Sequence, residues 1–206
     1  MNYQNAPVST GAERVVRALR QEELPLLREH LLRLDHQSRH DRFHGFMDDS
    51  FIERYAEKCA SDGTVVIGYL EGGLVRGAAE LHPPETSPAS LPEIAFSVEA
   101  GLRRHGVGSL LFRELIEEAR GKGYHRLRIT TGAQNDAMQA LANKFGAKLT
   151  FHQGESTGTI EVKAPQRPGY AGAAIVTPID AARAVVRLNR AYWTFLMRLY
   201  GWKQVA

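Results

Sequence analysis

Apolar residues alternate or recur at helical spacing over most of the first 164 residues, which predicts a series of short strands and helices. Charged and apolar positions alternate from Arg14 to Arg20, as they do in a half-buried strand. Four leucines at helical spacing predict a helix from Gln21 to Asp35, and acidic residues in its first turn suit the helix dipole. A second helix is predicted from Ser50 to Ala60, with a cap at Asp48, Asp49 or Ser50.

Strands and helices continue to alternate through the rest of this region. The turn Glu71-Gly72-Gly73 predicts a hairpin, and a proline-rich loop follows its second strand. The predicted strands are Thr64–Leu70, Leu74–Leu81, Glu93–Val98, His125–Thr131, Ala147–His152 and Thr159–Lys163, and the predicted helices are Val107–Gly121 and Asn135–Phe145. The whole order is β-α-α-β-β-β-α-β-α-β-β. It predicts the α/β fold class, in its α+β form, with helices packed on a central mixed sheet.

The predicted domain organisation has three parts: a flexible lead over residues 1–13, a folded domain over 14–164, and a linker plus a basic amphipathic helix over 165–206. The last part carries a net charge of +5, which leaves −2 on the first 164 residues. Its helix is predicted from Asp180 to Tyr200, with one stripe of arginines at Arg183, Arg187, Arg190 and Arg198. Two roles stay open for this helix: packing within the protein or between the copies of a homodimer, and binding to an acidic surface.

Composition narrows the class of protein. With 43% hydrophobic and 24% charged residues, the chain can bury a full core. The single cysteine, Cys59, excludes an internal disulfide framework and suits a reducing cytosol. Met1 to Glu13 lacks the apolar segment of a secretory signal, and no apolar run reaches the length of a membrane span. We therefore expect a cytoplasmic protein without a membrane span, and a net charge of +3 gives no reason to expect a nucleic-acid partner.

A glycine-containing turn between a predicted strand and a predicted helix is the clearest candidate for a ligand site. The segment Arg103 to Ser109 leads into the helix, and free N–H groups at a helix start attract anions. A P-loop would need Lys-Ser or Lys-Thr after the glycines, and neither is present. A dinucleotide-binding turn would need a third glycine where Leu111 stands. What remains is the pattern R-x-x-G-x-G.

This pattern resembles the pyrophosphate loop of the GNAT N-acetyltransferases, which bind acetyl-CoA. A second motif, the helix led by Asn135 and ended by Gly146, is similar to the family helix that lines the coenzyme cleft. The segment Leu34 to Phe43 also resembles the L-S-x-x-S-R-x-x-R-F segment of bacterial protein lysine acetyltransferase domains. The resemblance covers Arg14 to Lys163. It implies the GNAT acyl-CoA N-acyltransferase fold, with acetyl-CoA as cosubstrate and no metal.

The resemblance also implies roles for individual residues. Glu93 is the candidate catalytic base, against the alternative of a solvated carboxylate at a strand end, and Glu80 is the reserve candidate. Asn135 would approach the pantetheine arm, cap its helix, or do both. The strand backbone at Phe96, Ser97 and Val98 would pair with the pantetheine amides, and an N–H at Val98 or its neighbour would bind the oxyanion. The pyrophosphate would lie against Arg103, Arg104, His105, Gly106, Val107, Gly108 and Ser109.

One departure from the family affects the predicted function. Many members place a tyrosine acid seven residues after the asparagine, and this chain has Ala142 there. The predicted function is transfer of acetyl from acetyl-CoA to a primary amine, on a small molecule or a protein lysine, by direct attack in a ternary complex. The alternative is an acyl-CoA-binding sensor of the same fold with little catalysis. His36, His40 and His44 share a helical spacing, but no carboxylate completes a metal motif, so we expect no metal site.

Overall fold

A computed structural model describes residues 13–87 and 90–163 of the 206-residue chain. The basic helix predicted within 165–206 and residues 1–12 of the predicted lead lie outside them. Seven strands are β1 Arg14–Ala18, β2 Val65–Glu71, β3 Leu74–His82, β4 Glu93–Val98, β5 Arg126–Gly132, β6 Lys148–His152 and β7 Glu155–Glu161. Five α-helices are α1 Pro25–Arg33, α2 His36–Phe43, α3 Asp49–Ser61, α4 Val107–Gly121 and α5 Asp136–Lys144, with 3-10 turns at Gln21–Glu23 and Ala100–Leu102.

The strands form one mixed sheet in the order β1-β2-β3-β4-β5-β7-β6. Neighbouring strands run antiparallel, except that β4 and β5 run parallel. This parallel pairing is short: it joins Glu93 to Arg128 and Ile94 to Ile129 and then stops. The two strands separate beyond that point, which opens a wedge in the middle of the sheet. The mixed α/β fold class predicted from the sequence is confirmed.

Helices cover both faces of the sheet, and each layer has its own apolar core. On one face, Phe112 and Leu115 of α4 pack with Ile94 and Ile129 of the central strands, and α5 adds Ala142. On the other face, α1 and α3 pack their leucine and isoleucine side chains against β2 and β3, with Leu27, Leu31, Ile52 and Val66 fully or almost fully buried. Cys59 of α3 is buried in this second core, as expected for a structural thiol.

Helix α2 is absent from the order predicted from the sequence. Asp35 starts it, because its carboxylate accepts hydrogen bonds from the backbone N–H and the hydroxyl of Ser38 at 2.8 Å. The helix is polar, and Ser38 alone among its residues is buried, so it carries no apolar stripe that periodicity could detect. The preceding helix is also shorter than predicted, because Gln21–Glu23 forms a 3-10 turn before Pro25 begins α1.

The closing hairpin also differs from its prediction. Gly154 lies in its turn with a φ of 87°, which suits glycine. The predicted strands Ala147–His152 and Thr159–Lys163 leave Gly158 in the turn between them, but it lies inside β7 and pairs with Leu149 and Ile129. A side chain there would clash with the carbonyl oxygen of Lys148, so this glycine permits close strand packing rather than a turn.

Candidate active site

A cavity of about 540 Å³ opens where β4 and β5 separate. Its floor is formed by Glu93–Phe96 of β4 and Arg128–Thr131 of β5, and Asn135 and Met138 at the start of α5 form one side. Residues of α2, α3 and the end of β3 form the other side, among them Asp41, Arg42, His44, Tyr55, Asp62 and His82. A cavity of this size, with polar groups converging on an apolar wedge, is typical of a site for a small organic ligand.

Glu93 lies in this cavity. It is the first residue of β4, and its carboxylate accepts a hydrogen bond from Nη2 of Arg128 at 2.7 Å. Its side chain remains 34% exposed, so a ligand in the cavity can reach it. The antiparallel register places His82 of β3 directly beside it, on the strand opposite to Arg128. The candidate base therefore sits between two basic side chains on one face of the sheet.

Glu80, the reserve candidate, is in a different environment. Its side chain is fully buried, and its Oε2 accepts hydrogen bonds from Arg42 at 2.8 Å and from the hydroxyl of Tyr55. Burial would raise the pKa of Glu80, but the charge of Arg42 and the contacts from His82 and Tyr55 lower it to about 2. A carboxylate with so low a pKa, out of contact with solvent, is a weak base, and Glu80 binds the cavity-lining residues Arg42 and Tyr55 without lining the cavity itself.

The polar residues of α2 explain what the segment Leu34 to Phe43 does in the fold. Arg39 binds the carbonyl oxygens of Leu32 and Leu34, and Arg42 reaches Glu80 in the sheet. Phe43 packs edge-to-face against Tyr55 of α3. The segment therefore fixes α2 against the central sheet as one wall of the cavity. The motif is visible in the sequence, but nothing in the sequence indicates these long-range partners.

His82 belongs to a hydrogen-bonded chain that joins Tyr55 to Asp62 through Thr64. Its Nε2 lies 3.1 Å from the Tyr55 hydroxyl, and its Nδ1 lies 3.0 Å from Oγ1 of Thr64. The Thr64 hydroxyl donates to Asp62 at 2.5 Å. Because that hydroxyl donates its proton to Asp62, its oxygen is free to accept a hydrogen bond from Nδ1 of His82. His82 was not predicted as a site residue, since no sequence motif marks a histidine at a strand end.

The glycine loop starts α4 without a side-chain cap. Arg104 and Gly106 have φ values of 63° and 83°, which turn the chain sharply before Val107 begins the helix. The N–H groups of Ser109 and Leu110 donate to the carbonyl of Gly106. No side chain in the described part of the chain binds the first-turn N–H groups, so the helix start can bind an anion.

The remaining side chains of this loop point in several directions. Arg103 donates to the carbonyl of Val98 at 3.2 Å and to the Ser38 hydroxyl at 2.6 Å, so it joins the loop to β4 and α2. Arg104 and His105 are exposed at the turn. The Ser109 hydroxyl accepts from Nζ of Lys144 at 3.0 Å, which brings a cation beside the first turn. Lys144 was not among the residues predicted to bind the coenzyme.

Gly108 has a packing role at the same helix start. A Cβ on Gly108 would lie 3.2 Å from Cδ2 of Leu141, so its small size lets α5 approach α4 closely. Val107, beside it, is buried in the core that α4 shares with the sheet.

The middle of β4 holds the three predicted pantetheine contacts in different settings. The Phe96 ring stacks on the ring of Phe112 of α4, with the two centroids 4.8 Å apart. The carbonyl oxygen of Val98 accepts a hydrogen bond from Arg103. The Ser97 hydroxyl lies 2.9 Å from Nε2 of the buried His30 on the opposite face. Beyond Ile94, no residue of β4 is paired with β5. The backbone N–H and carbonyl groups on this edge of β4 therefore face the wedge.

Glu99, just after β4, forms the ionic link between the end of the strand and its neighbours. It binds Arg76 of β3 and, at 3.2 Å, Arg33 of α1, with His30 at 3.7 Å. Burial would raise the pKa of Glu99, but His30, Arg76 and Arg33 lower it to about 2. Glu99 therefore has a structural role: its negative charge links the end of β4 to β3 and α1.

Asn135 caps α5. Its Oδ1 accepts from the N–H of Met138 at 3.1 Å, and the residue lines the cavity, so its amide N–H groups lie beside the wedge. Ala142, at the position where many family members have tyrosine, is fully buried in the core under α5. A proton donor in the cavity therefore cannot come from position 142.

His36 at the start of α2 and His44 just after its end have separate partners. His36 stacks on Phe46, and His44 lies 3.1 Å from Glu155 at the start of β7. Within residues 13–87 and 90–163, the metal-ligand types meet in one group, Cys59, Glu80 and His82. Burial raises the pKa of Cys59 to about 12, and Arg42 already neutralises Glu80, so a cation would have to displace a bound guanidinium and ionise a buried thiol.

The split parallel pair, the wedge between its strands and the uncapped glycine-led helix beside it define an acyl-CoA N-acyltransferase fold. The model of the acetyltransferase (GNAT) family matches residues 19–147, and the chain belongs to this family. Among the described residues, no helix has the length and apolar character needed to cross a membrane.

Several solved structures share the fold. The GNAT domain of PAT from S. lividans is 20% identical with a TM-score of 0.59, over 71% of this chain and 89% of that one. The putative acetyltransferase yncA from Salmonella typhimurium, solved with its cofactor acetyl-CoA, is 18% identical with a TM-score of 0.55, over 75% and 97%. The paia N-acetyltransferase from Thermoplasma acidophilum, in complex with coenzyme A, is 16% identical with a TM-score of 0.53, over 72% and 99%.

Proposed function

We propose that this protein transfers acetyl from acetyl-CoA to a primary amine by direct attack in a ternary complex. The observation that carries the proposal is the position of Glu93, 34% exposed in the cavity between β4 and β5. The uncapped start of α4 packs against α5, the helix whose first residues form one side of that cavity. The acceptor is a small-molecule amine or a protein lysine. The single cysteine, buried as Cys59, suits a reducing compartment, and we place the reaction in the cytoplasm.

The pyrophosphate and the pantetheine arm of the coenzyme differ in chemistry, and the site offers matching groups for each. The N–H groups from Arg104 to Gly108 bind the pyrophosphate, and Lys144 and the exposed Arg104 add positive charge there. The free edge of β4 from Phe96 to Val98 pairs with the pantetheine amides. Two structural neighbours were solved with acetyl-CoA or coenzyme A, which supports this choice of cosubstrate.

Glu93 removes the proton that blocks attack. An alkyl ammonium has a pKa near 10.4, so at neutral pH the acceptor enters protonated. Glu93 takes one proton from its nitrogen, directly or through a water molecule, and the lone pair attacks the thioester carbonyl carbon. An N–H at Val98 or its neighbour binds the oxygen as it becomes negative. The C–N bond forms, the C–S bond breaks, and the nitrogen loses its second proton to water.

The leaving thiolate takes its proton from solvent in this scheme, because Ala142 supplies none. A thiol with a pKa near 8.5 leaves readily as a thiolate, so an acid is helpful rather than required. The same observation favours a second candidate function, an acyl-CoA-binding sensor of the same fold with little turnover.

A thiol-release assay with acetyl-CoA and a panel of amines and lysine peptides separates the two functions. The enzyme should release coenzyme A with at least one acceptor, and Glu93→Gln should lower kcat about 100-fold or more while acetyl-CoA affinity stays unchanged. Glu114→Gln on α4 is the matched control and should keep full activity. Tight acetyl-CoA binding without turnover on any acceptor would favour the sensor, and unchanged activity of Glu93→Gln would exclude Glu93 as the base.

A further inference from the structure

Arg128, beside the candidate base, keeps hydrogen-bond donors that the protein leaves unused. It is paired with Glu93 in the register of β4 and β5, and its Nη2 donates to Oε2 of Glu93 at 2.7 Å. A guanidinium carries its N–H donors in a planar fork, and within residues 13–87 and 90–163 this fork makes no other hydrogen bond. Its Nε is shielded from solvent, but Nη1 is not, and the side chain is 43% exposed and lines the cavity. The open edge of the fork can therefore bind a ligand.

Strand geometry separates this pair from the core beneath α4. Ile94 and Ile129 are paired and belong to that core. Side chains alternate along a strand, so Glu93 and Arg128 lie on the opposite face of the sheet. On the other side of Arg128, the paired residue of β7 is the uncharged Thr159. Glu93 is therefore the carboxylate directly paired with Arg128 in the sheet, and it occupies only part of the fork.

The charges of this pair bear on the kind of amine that can bind beside it. Glu93 and Arg128 together carry no net charge, so the pair gives a simple alkylammonium ion little attraction. An ammonium group placed against Glu93 would also lie close to the guanidinium, and like charges at such distances repel each other. An acceptor with a carboxylate beside its amine removes this repulsion. Its carboxylate can bind the open edge of Arg128 while its amine lies at Glu93, and the four charges then alternate.

The contact between Glu93 and Arg128 also limits the distance between the two groups of the acceptor. Because the two side chains are hydrogen-bonded to each other, an amine and a carboxylate that bind them together must be close neighbours. A single carbon joins these groups in an α-amino acid. A lysine side chain within a protein has no carboxylate near its amine, and the first residue of a peptide has an uncharged amide in that place.

We infer that Arg128 selects an acceptor whose amine is adjacent to a carboxylate, which is the chemistry of a free amino acid. In the proposed function, on which this inference rests, Glu93 takes a proton from the amine while Arg128 binds the carboxylate. The nitrogen takes the acetyl group, and the products are an N-acetyl amino acid and coenzyme A. Arg128 is thus a specificity-determining residue of the acceptor site, and protein lysines are poor acceptors.

Thiol-release assays on the full chain test this inference with matched acceptors. The panel contains the standard amino acids, their carboxamides, and a lysine peptide with both ends blocked. A carboxamide keeps the amine and the side chain but removes the negative charge. For at least one amino acid, the wild type should show a kcat/KM about tenfold or more above that of its carboxamide.

Arg128→Gln should bring this ratio of kcat/KM close to one, because it removes the charge that distinguishes the two acceptors. Comparing the same two acceptors in every variant cancels the difference in reactivity between their amines. Arg126→Gln makes the same change two residues earlier, on the same face of β5 but outside the lining of the cavity. This control should keep the ratio of the wild type.

Arg128 also contacts Glu93, so its loss can lower activity by moving the base. An equal loss for amino acid and carboxamide would show that role alone and overturn the inference. Equal wild-type activity on the two acceptors, or activity confined to the lysine peptide, would also overturn it and leave the proposed function standing. An absence of turnover with every acceptor would instead remove the proposed function, and this inference with it.

Discussion

Nη2 of Arg42 on α2 lies 2.8 Å from Oε2 of Glu80 on β3, and both side chains are shielded from solvent. Removing one partner of a buried ion pair leaves an uncompensated charge, which costs about 3–5 kcal/mol. Glu80→Gln should therefore lower the free energy of unfolding by about that amount in urea titrations. Arg14→Ala removes the exposed partner of Glu71 and serves as control, and its loss of stability should be much smaller than that of Glu80→Gln. Equal losses for the two variants would contradict this.

The same ion pair makes stability depend on pH. The pKa of Glu80 falls from its ordinary 4.5 to about 2 in the folded protein. A lowered carboxyl pKa stabilises the fold above pH 4.5, and this stabilisation is lost as the pH falls from about 4.5 to about 2. Urea titrations over this range should show stability falling toward low pH, with a shallower slope in Glu80→Gln. Identical slopes in the two proteins would assign the acid sensitivity to other carboxylates.

Gly106 allows a test of anion binding at the start of α4. Its φ of 83° tolerates asparagine and aspartate better than other side chains, and a Cβ there would contact nothing within 4 Å. Gly106→Asn and Gly106→Asp have nearly the same shape and differ in charge. The aspartate variant should bind acetyl-CoA about tenfold more weakly than the asparagine variant. The difference should shrink as salt is raised, and a salt-independent difference would point to shape instead.

Asn135 has an observed role as a helix cap and a predicted one in coenzyme binding, and two variants separate them. Asn135→Ala removes the bond to Met138 and should cost about 1 kcal/mol of stability. Asn135→Ser keeps a capping oxygen but loses the amide N–H groups, so stability should stay near the wild type while acetyl-CoA affinity falls. If Asn135→Ser binds acetyl-CoA like the wild type, capping is the role of the side chain.

Two elements near the site were predicted with correct bounds, because their signals are local. The strand Glu93–Val98 and the helix Val107–Gly121 match the structure residue for residue. Periodicity marks the strand and the buried face of the helix, and Gly106 marks the turn between them. The helix α2 was missed for the opposite reason. It is short and polar, and its stability comes from contacts with distant residues such as Arg103 and Glu80.

The sequence by itself therefore determined the order of the elements apart from α2, the fold class, the family resemblance and the position of the glycine loop, because these depend on patterns within a few residues. Only the tertiary structure decided which side chains share the cavity. The pairing of Arg42 with Glu80 and the place of Glu93 between His82 and Arg128 depend on strand register and helix packing. Those contacts join residues far apart in the chain, and no local pattern of apolar and polar positions encodes them.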